Sequence, residues 1–259
     1  MEYSRREMMA IAAGRLIRDG DVVFAGTGLP LLAATVAKKL HAPRCVVFFE
    51  TGAVDSELIE LPLFVADSRV MYGASLNAGL LEAFAVLSNP KARTVALLGA
   101  AQVDKYGNIN TTCIGPYERP KVRLPGSGGG CDGASLASCF IVFTLHEPRR
   151  FVEKLDYLTS PGWLQGGSSR LEAGLTRGGP LAVVTDLGVL RFDEETKEMY
   201  LAEYYPGVSP SQVQANTGFA LDVSRAVEAE PPSKEELDVL RSQVDPQGLI
   251  TGGPPRTSR

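Results

Sequence analysis

Apolar residues fall into short unbroken runs separated by helical stripes along this chain. Four consecutive large apolar residues, Val46–Phe49, do not alternate with polar ones, which favours a strand buried on both faces, as in a parallel sheet covered by helices. Val22–Ala25 is a similar run, and a helix is predicted between the two over Pro30–Leu40. The three segments predict a βαβ unit in which Glu50 directly follows the second strand.

The same features continue through the rest of the chain. Capping-box patterns at Ser4–Glu7 and Ser233–Glu236 predict the starts of the first and last helices. Further segments predict a third helix at Ala78–Leu87, strands at Thr94–Leu98, Cys139–Leu145 and Leu181–Val184, and a hairpin of Val189–Phe192 with Met199–Glu203. Together they predict an α/β fold with an open, mostly parallel sheet flanked by helices.

No internal repeat or linker divides the chain. We therefore predict a single domain over residues 1–250, followed by a flexible C-terminal tail at 251–259 that is rich in Gly, Pro and Arg. The 259 residues carry a net charge of −4, which provides no general attraction to nucleic acid or acidic membranes. No signal-peptide-like segment follows the N-terminus and no apolar run is long enough to cross a bilayer, so a cytoplasmic location is expected.

Cysteine and histidine are sparse. The four cysteines form no C-x-x-C pair and are predicted to be reduced, mostly buried thiols: Cys45, Cys113, Cys131 and Cys139. With only His41 and His146, a histidine metal cluster or a Ser-His-Asp triad is poorly supported, and His146 is predicted to be a loop residue. No metal is expected, and any catalysis should be carboxylate-based.

Glu50 is the candidate carboxylate. In open parallel sheets ligands gather beyond the carboxyl ends of the strands, and Glu50 is predicted to lie at such an end. Gly52 would let the backbone come close to whatever it faces. A carboxylate beside a dry core is a candidate for chemistry, and the alternative is a strand-end residue that caps the next turn and meets water. Both interpretations remain open on this stretch alone.

The loop at Gly26 and Gly28 follows a predicted strand and opens a helix, as in dinucleotide-binding folds. The third glycine of that fingerprint is absent, because position 31 is Leu31, and Pro30 intrudes. NAD binding is therefore a second choice, although the helix N-terminus could hold a pyrophosphate or a thioester oxygen.

Two later features also suit oxyanion binding. Gly126–Gly130 is either a flexible linker or a turn whose backbone amides point at one oxyanion or phosphate, and its place between predicted core elements favours the turn. Gln102 and Asn110 follow a buried strand, and their side-chain amides can hold a carbonyl oxygen without charge.

Several motifs occur in a fixed order from the first helix to about residue 250. They are Gly26-Thr27-Gly28-Leu29-Pro30, Glu50-x-Gly52, Gly99-Ala-Ala-Gln102-Val-Asp104-x-Tyr106-Gly107-Asn108-x-Asn110, Gly126-Ser127-Gly128-Gly129, Asp156-Tyr157-x-Thr159-Ser160-Pro161-Gly162-Trp163, Thr185-Asp186-x-Gly188-Val189, Tyr204-Tyr205-Pro206 and Asn216-Thr217-Gly218-Phe219. These motifs and their order resemble those of the class I coenzyme A-transferases. Within that class, the chain resembles the β-subunit family of glutaconate CoA-transferase.

The resemblance implies an activity and a set of site residues. Glu50 would be the nucleophile of an acyl-CoA:carboxylate CoA-transferase, forming a glutamyl anhydride and then a glutamyl-CoA thioester. The amides of Gly128 and Gly129 are the candidate oxyanion donors. The rest of the expected oxyanion and CoA-binding set is Gly26, Gly28, Gln102 and Asn110.

The resemblance also implies the partners. They are an acyl-CoA thioester as substrate, with no cofactor bound permanently, a small carboxylic acid, and an α-type subunit in a heterotetramer or larger assembly.

Two alternatives stay open. Glu50 could activate water as a general base, which would make the protein a CoA-thioester hydrolase on the same scaffold. A non-catalytic module could instead bind a nucleotide or a CoA metabolite through the loops at Gly26 and Gly126.

Overall fold

A computed structural model describes residues 2–252 of the chain. The helices of this part are α1 (Arg5–Gly14), α2 (Leu29–Leu40), α3 (Leu80–Leu87), α4 (Gly130–Leu136), α5 (Ser169–Glu172), α6 (Pro210–Ala215) and α7 (Lys234–Val239). The strands are β1 (Val22–Ala25), β2 (Val46–Phe48), β3 (Ala53–Val54), β4 (Leu76–Asn77), β5 (Thr94–Gly99), β6 (Gln102–Val103), β7 (Ile109–Asn110), β8 (Cys113–Ile114), β9 (Val122–Arg123), β10 (Cys139–Phe143), β11 (Pro180–Val184), β12 (Gly188–Phe192), β13 (Met199–Tyr204) and β14 (Val227–Glu228).

The chain groups into two compact units. The first contains the residues up to Val95 and those from Pro231 onward, and the second is Ala96–Glu230. The assignment of residues 1–250 to a single domain stays a prediction. Of the predicted tail at 251–259, all but Thr251 and Gly252 lies outside the described residues. Between residues 2 and 252 no helix has the length and apolar character needed to span a membrane.

The predicted βαβ unit forms the centre of the first unit. Strands β1 and β2 pair in parallel, with Val22 opposite Val46 and Phe24 opposite Phe48, and α2 connects them. After β2 the chain reverses, because β3 pairs with β2 and β4 pairs with β3 in antiparallel fashion. The parallel pair is thus followed by a short antiparallel extension that starts immediately beyond Glu50.

Close helix packing completes the first unit. The side chain of Ser4 accepts a hydrogen bond from the Glu7 amide at 3.2 Å, and the Glu7 carboxylate accepts one from the Ser4 amide at 2.7 Å, which confirms the capping box of α1. A Cβ atom at Gly14 would lie 3.0 Å from the carbonyl oxygen of Ala33, so the absence of a side chain lets α1 approach α2. Arg241 then donates to the buried Glu7 at 2.6 Å and links the end of the chain to its start.

The second unit contains a mixed sheet. Its strands β10 and β11 are parallel, β11, β12 and β13 are successively antiparallel, and β14 is parallel to β13. The pairing of β12 with β13 confirms the predicted hairpin, and Phe140, Ile141 and Val142 at the centre of β10 are fully buried. Two separate ribbons, β6–β7 and β8–β9, lie outside this sheet. The α/β class is therefore confirmed, with mixed rather than uniformly parallel strand pairing.

His146 lies in a loop, as predicted, but it is buried and only 3% exposed. Its Nδ1 lies 3.2 Å from the hydroxyl of Thr185 and its Nε2 2.9 Å from that of Thr217. The imidazole stacks on Phe151 with ring centroids 3.9 Å apart. Burial lowers the pKa of His146 from 6.5 to about 4, so the ring is neutral at pH 7 and serves as a structural link between the end of β11 and the end of α6.

We expect His146 to make the protein less stable in acid. Between pH 6.5 and 4 the unfolded chain binds a proton at this residue and the folded chain does not, so the free energy of unfolding falls as the pH is lowered. The part of the loss due to His146 approaches roughly 3 kcal/mol below pH 4. Urea denaturation from pH 4 to 7 should show a shallower pH dependence for His146→Gln than for the unmodified chain. Parallel pH profiles for the two proteins would contradict this role.

Candidate active site

Glu50 is positioned by the parallel pairing of β1 and β2. The pair Phe24–Phe48 is the last in register, and two residues beyond it on each strand lie Gly26 and Glu50. Gly28 follows as the residue before α2, with φ 82°, a conformation that favours glycine. The structure therefore brings three of the predicted site residues, Gly26, Gly28 and Glu50, to the carboxyl end of these strands, beside the N-terminus of α2.

A tight backbone turn fixes the direction in which the chain leaves Glu50. The amide of Phe49 donates to the carbonyl of Ala53 at 3.0 Å, and the amide of Gly52 donates back to the carbonyl of Phe49 at 3.0 Å. Gly52 has φ +100°, and a Cβ at this position would lie 1.9 Å from the carbonyl oxygen of Ala78. The Glu-x-Gly pattern thus has a physical cause, because any side chain at position 52 would collide with backbone.

The surroundings of Glu50 change from dry to accessible within two residues. Phe48 and Phe49 are fully buried, Glu50 is half-buried, and Thr51 is exposed, with its hydroxyl donating to the carbonyl of Val65 at 3.1 Å. The carboxylate therefore lies at the rim of an apolar core. In this position it can meet a substrate while the core behind it excludes water.

Gln102 and Asn110 are engaged in a buried polar network of the second unit. The amide nitrogen of Asn110 donates to the side-chain oxygen of Gln102 at 2.7 Å and to the carbonyl of Cys113 at 2.7 Å. Gln102 also donates to Asp156 at 2.9 Å. Asn110 has no exposed surface in this chain, so the contacts observed are those that hold β6 to β7. A role for either amide in substrate binding stays a prediction.

The segment Gly126–Gly130 is an ordered turn and not a linker. Thr111 clamps it, because its carbonyl accepts from the Gly126 amide at 2.9 Å and its hydroxyl donates to the Gly126 carbonyl at 2.8 Å. Gly126 and Gly128 both have positive φ, at 94° and 49°, and Gly129 is the residue before α4. Gly128 is exposed and Gly129 is buried. The positive φ values favour glycine at these positions, and the use of this turn as an oxyanion site stays a prediction.

Sequence reasoning missed Arg170, which supports the helix that follows this turn. Arg170 is only 2% exposed. Its guanidinium donates hydrogen bonds of 2.7–3.1 Å to four carbonyl oxygens, those of Ala134, Pro161, Gly162 and Arg177. Burial lowers the pKa of Arg170 to about 10, which leaves the charge intact at pH 7. By holding Ala134 it fixes α4, the helix that the glycine turn begins. A lone arginine in a Gly-rich polar stretch carried no signal of this role.

Cysteine thiols and possible metal ligands are two other kinds of chemistry-bearing side chain in the described part of the chain. All four cysteines carry free thiols, and burial raises the pKa of Cys45 to about 12, so this thiol is protonated and unreactive at pH 7. Within residues 2–252 no three His, Cys, Asp or Glu side chains are grouped so as to hold a metal ion.

A protein-family model described as "Coenzyme A transferase" matches residues 6–216. Among characterised proteins, the chain is 44% identical to the β-type subunit of glutaconate CoA-transferase from Acidaminococcus fermentans, over 94% of this chain and 93% of that protein. It is 39% identical to the corresponding subunit of 3-oxoadipate CoA-transferase from Pseudomonas knackmussii, over 93% of each. The crystal structure of glutaconate coenzyme A-transferase from A. fermentans superposes with a TM-score of 0.94, at 43% identity, over 98% of this chain and 99% of the matched chain.

We expect Gly52→Ala to disturb the turn at Glu50. The substitution combines a left-handed backbone with overlap on Ala78, so it should lower the free energy of unfolding by about 3 kcal/mol. Gly99→Ala is the matched control, because a Cβ there has open space and the backbone is not left-handed, and it should change stability by less than about 1 kcal/mol. Chemical denaturation measures both variants. If Gly52→Ala and Gly99→Ala had equal free energies of unfolding, the close approach of Gly52 to Ala78 would not constrain the turn.

Proposed function

The chain belongs to the coenzyme A transferase family, and we propose that it is the β-type subunit of a heteromeric acyl-CoA:carboxylate CoA-transferase with Glu50 as its nucleophile. The observation that carries the assignment of Glu50 is its place at the carboxyl end of β2, held by the turn at Gly52 at the rim of the apolar core. A carboxylate in that position can contact a thioester on its accessible side, while the apolar core excludes water on its other side.

In the first half-reaction the Glu50 carboxylate attacks the carbonyl carbon of the acyl-CoA thioester. The C–S bond breaks, CoA leaves as a thiolate, and a mixed acyl-glutamyl anhydride remains. The thiolate then attacks the glutamyl carbonyl of this anhydride and displaces the free acid. The product is a glutamyl-CoA thioester on Glu50, which is covalent catalysis by a side-chain carboxylate.

In the second half-reaction the acceptor carboxylate attacks this thioester and the two steps run in reverse. CoA thiolate is released, attacks the acceptor's acyl carbon in the new anhydride, and departs as the new acyl-CoA while the Glu50 carboxylate is restored. No proton needs to be added to or removed from the substrates overall. The cycle therefore proceeds without a histidine base.

Two physical demands of this cycle are matched within the first unit. The anhydride and the thioester must be kept from water, and Phe48 and Phe49 form a fully buried floor behind Glu50. Negative charge develops on the oxygen of the attacked carbonyl, and the amides at the start of α2 lie at the same end of the sheet, where the helix dipole favours an anion. In the second unit, the amides of Gly128 and Gly129 stay the predicted donors.

The names of the two relatives support a class of acid substrate. Glutaconate and 3-oxoadipate are both dicarboxylic acids, and the two proteins named for them align over more than nine-tenths of this chain. We propose a short dicarboxylic acid as the acid partner of the reaction, with the CoA thioester bound as a substrate and not as a permanent cofactor. Both relatives are named as one subunit of their enzyme, which supports an α-type subunit as the other part of the enzyme here.

Replacing Glu50 tests the nucleophile. With the α-type subunit present, Glu50→Gln and Glu50→Ala should lower kcat for CoA transfer by roughly 1,000-fold or more, because no acyl-enzyme can form. The exposed carboxylate of Glu153 provides a control, and Glu153→Gln should retain full activity. Initial rates measured with both substrates varied should give parallel lines in double-reciprocal plots, as a ping-pong mechanism requires. Full transfer by either Glu50 variant would contradict the assignment.

The same assay separates transfer from hydrolysis. The proposal predicts that free CoA is released slowly without an acceptor acid, since water does not reach the acyl-enzyme. Release of CoA without acceptor at the rate of the transfer reaction would instead identify Glu50 as a general base for water.

A further inference from the structure

One segment of the first unit exposes an unusual amount of apolar surface. Eight large apolar side chains between residues 59 and 81 are each more than half exposed, whereas monomers rarely leave large apolar patches open. We call this group the Leu81 surface: Ile59, Leu63, Phe64, Met71, Tyr72, Leu76, Leu80 and Leu81.

Backbone contacts tie this segment to one side of the unit. The amide of Glu57 donates to the carbonyl of Tyr72 at 3.0 Å, and Ile59 and Tyr72 line the same shallow pocket. Leu76 lies in β4, the last strand on this side, opposite Val54 of β3. These contacts place Ile59, Tyr72 and Leu76 close to the last strands of the sheet in this unit.

Exposed apolar side chains also occur on a regular element, helix α3, and not only in loops. Ala83 and Leu87 are buried, and Phe84 packs edge-on against Phe24 with ring centroids 5.9 Å apart. Leu81, which is 81% exposed, and Leu80 lie at the start of the same helix. A helix with apolar residues outside as well as inside is typical of an element covered on both sides.

Two hydrogen bonds connect the segment that carries the Leu81 surface to the turn at Glu50. The hydroxyl of Thr51 donates to the carbonyl of Val65, and the carbonyl of Gly52 accepts from the amide of Ala78 at 2.9 Å. A protein that covers the surface and extends over this turn would also border Glu50. This matches the requirement that the acyl-enzyme be shielded from water on its accessible side.

The charges of the segment indicate the charge expected on the surface of a partner protein. Residues 55–82 contain five acidic residues and one basic residue, a net charge of 1 − 5 = −4, which equals that of the whole chain. Those residues are Asp55, Glu57, Glu60, Asp67 and Glu82, with Arg69. Asp55 pairs with Lys38 outside the segment, and Glu60 and Asp67 pair with Arg69 within it, so the surroundings of the exposed apolar side chains stay acidic overall. Apolar side chains among surplus acidic residues fit a partner whose own apolar patch is bordered by Lys and Arg.

We propose that the Leu81 surface is the docking site of the α-type subunit, with the surplus acidic residues of segment 55–82 meeting basic residues of that subunit. The inference rests on the proposed function, because the family relatives are named as single subunits of their enzymes. A second copy of this chain fits less well, since it would bring the same acidic segment against itself.

Assembly of the full chain with its own organism's α-type subunit tests the proposal. Leu81→Asp and Ile59→Asp should each weaken the association by about 30-fold or more, measured by sedimentation velocity over a concentration series. Leu171→Asp is the matched control, because Leu171 is a helical leucine that is 63% exposed in the second unit, and it should assemble normally. Each isolated variant should keep the circular dichroism spectrum and thermal midpoint of the unmodified chain.

Two results would overturn the proposal. One is normal assembly of both Leu81→Asp and Ile59→Asp. The other is a dimer of the isolated chain that Leu81→Asp dissociates while the complex with the α-type subunit persists. A complex that forms normally but transfers no CoA would refute the proposed function and leave the docking result standing.

Discussion

The parallel register of β1 against β2 is the constraint on which the rest of the site depends. It places Gly26 and Glu50 at the same level beyond the strands, and α2 begins beside them. The contact of Gly52 with the Ala78 backbone then turns the chain away, so that the carboxylate stays at the rim of the core. One strand pairing and one glycine therefore bring a carboxylate, a helix N-terminus and an apolar floor together, which is what acyl transfer through a glutamate requires.

The second unit shows a different use of polar residues. Arg170, His146 and the pair Gln102–Asn110 are buried and hydrogen-bonded, and Arg170, His146 and Gln102 each contact a segment that is distant in sequence. Such groups are costly to bury without partners, so each stabilises one arrangement of the loops around it. The glycine turn before α4 owes its order to this framework, through Thr111 on one side and Arg170 on the other.

Local patterns predicted the elements well, because capping boxes and unbroken apolar runs act over a few residues. The strand Val22–Ala25 and the hairpin of β12 with β13 lie where the sequence places them. The mixed strand order and the burial of His146 depend on contacts between distant segments, which no local pattern encodes. Glu50 was a candidate from the sequence because its motif and its strand end coincide, and its role as the nucleophile stays a prediction. Arg170 was not, because the carbonyl oxygens it contacts belong to backbone and leave no trace in side-chain identity.

Acylation of Glu50 itself can be detected by mass spectrometry of the assembled enzyme. After incubation with acyl-CoA and no acceptor acid, followed by acid quench and proteolysis, the peptide that contains Glu50 should gain the mass of CoA less one water. The account predicts this adduct on Glu50 and its disappearance when acceptor acid is added before the quench. An active enzyme that shows no adduct on this peptide, or one that carries the CoA on another residue, would contradict it.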